Sequence, residues 1–169
     1  MKLIKPNRKY YSSYLEAIND KTSQNKYDFF YNGEGDLYKK VMEYHKGINL
    51  PPGYVSGDVL WLVDRNEFIG EINIRHKLTP FLENYGGHIG YAVSGSKRNQ
   101  GYGTIMLREA LKFIKENLKL NKVLLTCDED NYASTRVIEK NGGEFIDLVI
   151  NLIDNKEIKT KRYYIKLID

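Results

Sequence analysis

An α+β fold, with a mixed, mostly antiparallel sheet flanked by helices, is predicted by three patterns in the chain. Two segments rich in strand formers, Val59-Leu60-Trp61-Leu62-Val63 and Phe68-Ile69-Gly70-Glu71-Ile72-Asn73-Ile74-Arg75, flank a short polar connection and read as an antiparallel hairpin. A long amphipathic helix lies between a strand at 88–93 and a buried strand at 122–127, the order of a right-handed βαβ crossover with parallel neighbours. The last two strands, 145–152 and 160–167, flank Asp154-Asn155-Lys156-Glu157 as a long antiparallel hairpin. With 169 residues and 41% apolar composition the chain can bury a core without disulfides or metals, and one domain over 1–169 is expected.

The elements follow in order. Residues 3–6 read as a short strand, and residues 11–18 and 37–45 as helices with no assignment between them. Prolines and glycines in the stretch 50–58 break helix and strand alike. After the first hairpin, a turn-rich loop at 77–87 leads to the strand His88-Ile89-Gly90-Tyr91-Ala92-Val93. A glycine loop then opens a helix near Thr104, where Leu107, Ala110, Leu111, Ile114 and Leu118 mark the packed face and Arg108, Glu109, Lys112, Lys115 and Glu116 the wet one. Asp130 or Asn131 can cap the next helix, which Gly142-Gly143 stops.

The formal charge of +4 arises from 26 basic and 22 acidic residues scattered along the chain, so no dedicated surface for nucleic acid is implied. The lone Cys127 and the absence of a long apolar run in residues 1–6 predict a cytoplasmic setting without a membrane anchor. Fourteen tyrosines, several in pairs, suit cleft walls or core edges, and the tyrosine-rich final hairpin is a candidate homodimer contact. The charged run 156–162 reads as a solvated hairpin end.

Chemistry concentrates at Arg98-Asn99-Gln100-Gly101-Tyr102-Gly103, where a strand turns into a helix. Glycine lets the backbone approach phosphates, the unpaired N–H groups of a first helical turn point at them, and Arg98 can add a charge-assisted hydrogen bond. A tight structural turn uses glycine equally well. The loop lacks the third glycine of a dinucleotide fingerprint and the Gly-Lys-Ser/Thr of a P-loop.

This loop resembles the cofactor motif Gln/Arg-x-x-Gly-x-Gly/Ala of the GNAT superfamily of N-acetyltransferases. A second stretch, Asn131-Tyr132-Ala133-Ser134 through Glu139-Lys140-Asn141-Gly142-Gly143, is similar to the family's Asn-x-Ala-Ser helix ending in Glu-Lys-x-Gly. The likeness covers roughly residues 59–167. It implies a V-shaped splay between the fourth and fifth strands with acetyl-CoA in the gap. Backbone groups of Ala92, Val93 and Ser94 would pair with the pantetheine arm, and Arg98, Asn99 and the N–H groups of Gln100, Gly101, Tyr102, Gly103 and Thr104 would hold the pyrophosphate. Asn131 and Ser134 would face the arm from the other side.

The implied reaction is direct attack of a primary amine, of a small molecule or a protein, on the thioester in a ternary complex, with an N–H near Val93 stabilising the oxyanion. A lysine-like amine of pKa about 10.4 is neutral at pH 7 only about once in 2,500, whereas an α-amine near 8 needs far less help. Candidate bases are His88, Glu71 and His76; Glu71 alternates with Ile72 and Ile74, so it is expected to point away from the apolar face, to the cleft or to water. Seven residues after Asn131 the family often has a tyrosine acid, and here stands Ile138; Tyr91 or Tyr132 are the substitutes. That departure keeps an acyl-CoA-binding sensor without turnover as the alternative.

Overall fold

The first hairpin is the centre of the fold: β2 (Gly57–Asp64) and β3 (Glu67–Arg75) pair antiparallel across a turn whose Arg65 has φ of 52°. The structure, a computed structural model, describes residues 1–20, 29–31 and 35–167; most of the stretch left unassigned between the first two helices lies outside them. β1 (Lys2–Ile4) adds to β2, and β4 (Ile89–Val93) to β3, giving an antiparallel sheet in the order β1-β2-β3-β4. A second antiparallel sheet has the order β5-β7-β6, from β5 (Lys122–Asp128), β6 (Glu144–Ile153) and β7 (Lys156–Lys166). The strands expected as parallel neighbours, β4 and β5, therefore form no ladder and are edges of different sheets. They meet only at their lower end, where the His88 N–H donates to the Leu124 carbonyl (2.7 Å) and the Leu124 N–H to His88 Nδ1 (2.9 Å).

The helices are α1 (Tyr11–Asn19), α2 (Leu37–Lys46), α3 (Pro80–Asn84), α4 (Tyr102–Asn117) and α5 (Tyr132–Lys140). Side-chain oxygens cap three of them: Asp36 accepts from the N–H groups of Tyr38 and Lys39, Thr79 from Leu82, and Asn131 from Ser134. Gly47 ends α2 in the left-handed region (φ 70°) and returns its N–H to the carbonyls of Glu43 and Tyr44. The loop 77–87, read as irregular, contains α3, begun by Pro80 at its first turn. Arg162 ties that helix to the second sheet, bonding both oxygens of Asp147 and reaching Asn84 Oδ1 and the Glu83 carbonyl. Its guanidinium holds the Asp147 carboxyl below the usual range, so this end of the charged run is a tether rather than a free hairpin tip.

Both faces of the first sheet are covered. Leu60, Leu62, Ile72 and Ile74 pack with Met106, Leu107, Ala110 and Ile114 of α4 in one core, which continues through Val123, Leu125 and Ile165 into the second sheet. Val59, Trp61, Val63 and Phe68 pack on the opposite face with Tyr10, Tyr14, Leu37 and Tyr44 of the N-terminal layer. This second core corrects the expectation for Glu71. Its side chain does point away from Ile72 and Ile74, yet it reaches neither cleft nor water: it is buried beneath the aromatic layer. The Trp61 indole N–H donates to one carboxylate oxygen (3.0 Å), the Phe30 N–H to the other, and Tyr14 lies beside them. Burial outweighs these bonds and pushes the carboxyl up to about 7.

The final hairpin turns its tyrosines inward or under cover: Tyr163 is buried and the Lys122 ammonium lies over the Tyr164 ring. Phe145, Ile146, Leu148, Ile150 and Leu152 are exposed apolar side chains along β6.

Two outcomes follow from this packing. Gly87 has φ of 60°, and a Cβ there would lie 2.5 Å from the Leu124 carbonyl oxygen at the junction of the sheets. Gly87→Ala should lower unfolding free energy by about 3 kcal/mol or more, whereas Gly53→Ala, at φ 83° with open space around it, should lose only about 1–2 kcal/mol; urea titration of both checks the contrast. For Glu71, a carboxyl raised in the folded state favours folding below its unfolded pKa, and that contribution is lost as pH rises towards 7. Wild-type stability should therefore fall between about pH 4.5 and 7, by on the order of 3 kcal/mol at most, and Glu71→Gln should flatten that part of the pH profile.

Candidate functional site

The cleft is the gap that opens above the His88–Leu124 contact. β4 is the last strand of the first sheet and β5 the first of the second, so two strand edges face each other without a ladder between them. A cavity of about 990 Å³ fills the gap, running from Arg98, Gly101 and Gly103 past Val93 and Asn131 to Arg75 and Gly86 at the other end. That size is at the upper end for small-molecule sites. Unpaired N–H and C=O groups along such edges can bond an extended ligand as a further strand would.

At one end stands the helix terminus read from the sequence. α4 begins at Tyr102, two residues earlier than expected, with Gly101 at its N-cap in the left-handed region (φ 82°) and no side-chain cap. Asn99 is also left-handed (φ 60°), so the chain coils tightly before the helix. The first intrahelical bond is the Ile105 N–H to the Gly101 carbonyl, which leaves the N–H groups of Tyr102, Gly103 and Thr104 for a ligand. Arg98 reaches back to the Val93 carbonyl through Nε (3.4 Å), and its buried Nη2 has no partner among the described residues. A buried guanidinium nitrogen without an acceptor beside an uncapped helix start fits a polyanion. Gln100 turns away, its side chain donating to the Ser96 carbonyl. Gly103 has a packing role: a Cβ there would press on Val137 of α5 at 3.2 Å. Bulk at this position would part α4 from α5 as well as close the loop.

On the facing wall, Asn131 is the α5 N-cap, its Oδ1 accepting from the Ser134 N–H at 3.0 Å. Ser134 Oγ lies 2.9 Å from the Tyr91 hydroxyl, a hydrogen bond that joins α5 to β4 within the cleft. Burial raises the Tyr91 phenol, so it stays protonated. Tyr132 is 68% exposed with the Lys161 ammonium over its ring, and Ile138 is buried in the core.

The remaining candidates are placed differently. His88 lies just before β4, and its Nδ1 lone pair is used by the Leu124 N–H; burial lowers its pKa, which keeps the ring neutral. His76 Nε2 bonds Asp58 Oδ2 and His45 Nδ1 bonds the other oxygen, both at 2.8 Å, in a cluster outside the cleft that brings two imidazoles and one carboxylate together. Cys127 is buried at the end of β5, 3.6 Å from Thr135 Oγ1, and burial raises its thiol. Two residues that sequence reasoning passed over also matter, Asn73 and Arg75. With Glu71 they put three polar side chains on one face of an otherwise apolar strand, which was the sign available. The cleft wall carries Arg75, Lys97, Arg98, Arg136 and Lys140 against Asp128 and Asp130, a positive balance that suits a phosphate-bearing ligand.

No helix among the described residues is long and apolar enough to cross a membrane. No curated protein sequence matches the chain. Among solved structures, the chain is similar to a spermidine N-acetyltransferase SpeG chimera from Vibrio cholerae and hSSAT, at 16% identity and TM-score 0.64, covering 99% of this chain and 97% of that one. It is also similar to RimL, a ribosomal alpha-N-protein acetyltransferase in complex with coenzyme A, at 12% identity and TM-score 0.68, covering 97% and 92%. These likenesses establish a shared fold. A family model described as acetyltransferase (GNAT) domain matches residues 7–144, most of the chain and both halves of the cleft, and on that match the chain belongs to the GNAT family of N-acetyltransferases.

Proposed function

We propose that the cleft binds acetyl-CoA and transfers its acetyl group directly to a primary amine. The observation that carries this is the uncapped start of α4 beside the unpartnered Nη2 of Arg98, opening straight into the gap between two strand edges. In this reading the N–H groups of Gly101, Tyr102, Gly103 and Thr104, with Arg98, hold the pyrophosphate. Backbone groups of Ala92, Val93 and Ser94 take the pantetheine arm, and Asn131 and Ser134 face it from α5.

Acetyl-CoA supplies an acyl group activated as a thioester. The amine nitrogen forms a bond to the carbonyl carbon, the carbon–sulfur bond breaks, and the amine's surplus proton leaves to water. An N–H near Val93 stabilises the oxyanion. The Tyr91 hydroxyl, shared with Ser134 in the free enzyme, donates a hydrogen bond to the departing thiolate, a role left open by Ile138. Since its phenol is more basic than a thiol of about 8.5, Tyr91 stabilises the thiolate without surrendering its proton. Neither imidazole nor carboxylate is poised as a direct base: the His88 lone pair and both Glu71 oxygens already accept hydrogen bonds. Deprotonation of the amine is accordingly left to water, which costs less for an α-amine than for the more basic lysine-like amine, and Glu71 serves to hold Phe30 and Trp61 under the acceptor side. Ile138 favours one second reading, an acyl-CoA sensor without turnover, and multiple-turnover thiol release with an amine panel separates the two.

Calorimetric titration of acetyl-CoA should give saturable binding to the wild type, and Arg98→Ala should weaken it about 10- to 100-fold, the worth of a charged hydrogen bond. A folded wild type that takes up no acetyl-CoA would overturn the proposal. Tyr91→Phe should lower kcat by a similar 10- to 100-fold or so with acetyl-CoA affinity kept within about threefold; an unchanged kcat would remove Tyr91 from the reaction.

A further inference from the structure

The end of the cleft opposite α4 has its own chemistry. β3 turns Glu71, Asn73 and Arg75 to the face that lies under the N-terminal layer, and β4 sets Ala92 opposite Glu71 and Gly90 opposite Asn73. Gly90 leaves the floor of the cleft bare at this point. A Cβ placed there would meet only the Arg75 guanidinium, at 3.9 and 4.0 Å from its two terminal nitrogens.

Arg75 is half-buried and has no ion pair among the described residues. Its Nη1 is spent, donating to the Gly86 carbonyl (3.1 Å) and the Gly87 carbonyl (3.0 Å) of the loop before β4. A guanidinium has five N–H donors, so those on Nε and Nη2 are left without a partner among the described residues, on the rim of a group already fixed in position. Across the ladder from Gly90, Asn73 Oδ1 is buried with no donor among the described residues. Arg75 lines the cavity end that continues, past Tyr91 and Val93, to the α4 loop.

We infer that Arg75 is a specificity residue that grips a carboxylate of the acceptor, so that the substrate class is an amino carboxylate such as a free amino acid. This rests on the acetyltransferase reading above. The carboxylate accepts from Nε and Nη2 of Arg75 as a fork, the geometry guanidinium offers and ammonium does not. With the carboxylate so anchored over Gly90, an amine two bonds away points along β4 towards the thioester end of the pantetheine path. A polyamine fits poorly, since it would bring several positive charges to an unneutralised guanidinium. The spermidine acceptor printed for the SpeG chimera is thus the contrasting case, despite the shared fold.

The test compares the common amino acids with their α-carboxamides, and with spermidine, as acceptors for acetyl-CoA with wild type, Arg75→Gln and Arg75→Lys. Comparing the acid-to-amide ratio of kcat/KM between variants cancels the difference in amine basicity. Arg75→Gln should reduce that ratio about 10- to 100-fold, chiefly through KM, leaving the amide rate within about threefold; Arg75→Lys should restore part of it. An equal loss on acid and amide would make Arg75 only a clamp on Gly86 and Gly87, and spermidine as the preferred acceptor would also overturn the inference. Calorimetry of the same acids and amides against CoA-loaded protein reads the carboxylate preference without turnover. Carboxylate-dependent binding lost in Arg75→Gln supports the inference even if acetyl transfer fails, and binding indifferent to the carboxylate sinks it.

Discussion

Above the His88–Leu124 contact, β4 and β5 diverge, and each carries an edge of backbone N–H and C=O groups that no neighbouring strand takes up. Buried backbone groups are almost always paired, so an opening of this kind persists only where a ligand or water completes it. The rest of the molecule keeps the edges apart. Gly87 lets the chain cross β5 in near-contact with the Leu124 carbonyl, the His88 ring fastens the same point, and α4 and α5 wedge the upper ends open with Gly103 against Val137. The splay is thus fixed below by two hydrogen bonds and above by helix packing.

The sequence made the cofactor half of the cleft readable because backbone needs dictate residue types there. A left-handed residue before a helix and a close approach between helices both ask for glycine, and Gly101 and Gly103 supply them. Asn131 was likewise legible as a cap, since its amide oxygen satisfies a first-turn N–H. The parallel pairing of β4 and β5 was misread because a βαβ unit leaves strand separation unstated: order and handedness come from the chain, distance from what lies between.

The acceptor half resisted for a different reason. Alternation along β3 separates two faces but does not say what covers them, so Glu71 read as cleft or water when it lies under a second core of Tyr14, Trp61 and Phe68. The unbroken apolar run of β2 held the clue, because a strand apolar at every position is buried on both faces. Arg75 and Asn73 carry only the alternation of polar residues along β3 as a local mark; their meaning comes from bare Gly90 across the ladder and from the loop carbonyls that orient the guanidinium. Phosphate recognition is a backbone matter with a sequence signature, while acceptor recognition is assembled from side chains on distant segments.

The proposed activity requires that the gap between β4 and β5 be one continuous acetyl-CoA site running from the α4 start towards Gly90. Backbone amide chemical shifts followed during acetyl-CoA titration test it directly. Such a site gives saturable shifts at Gly101 to Thr104, at Ala92 to Ser94 and at Asn131, with the same apparent Kd, and little change along β6. Shifts confined to other surfaces, or none at ligand concentrations where the protein stays folded, would contradict it.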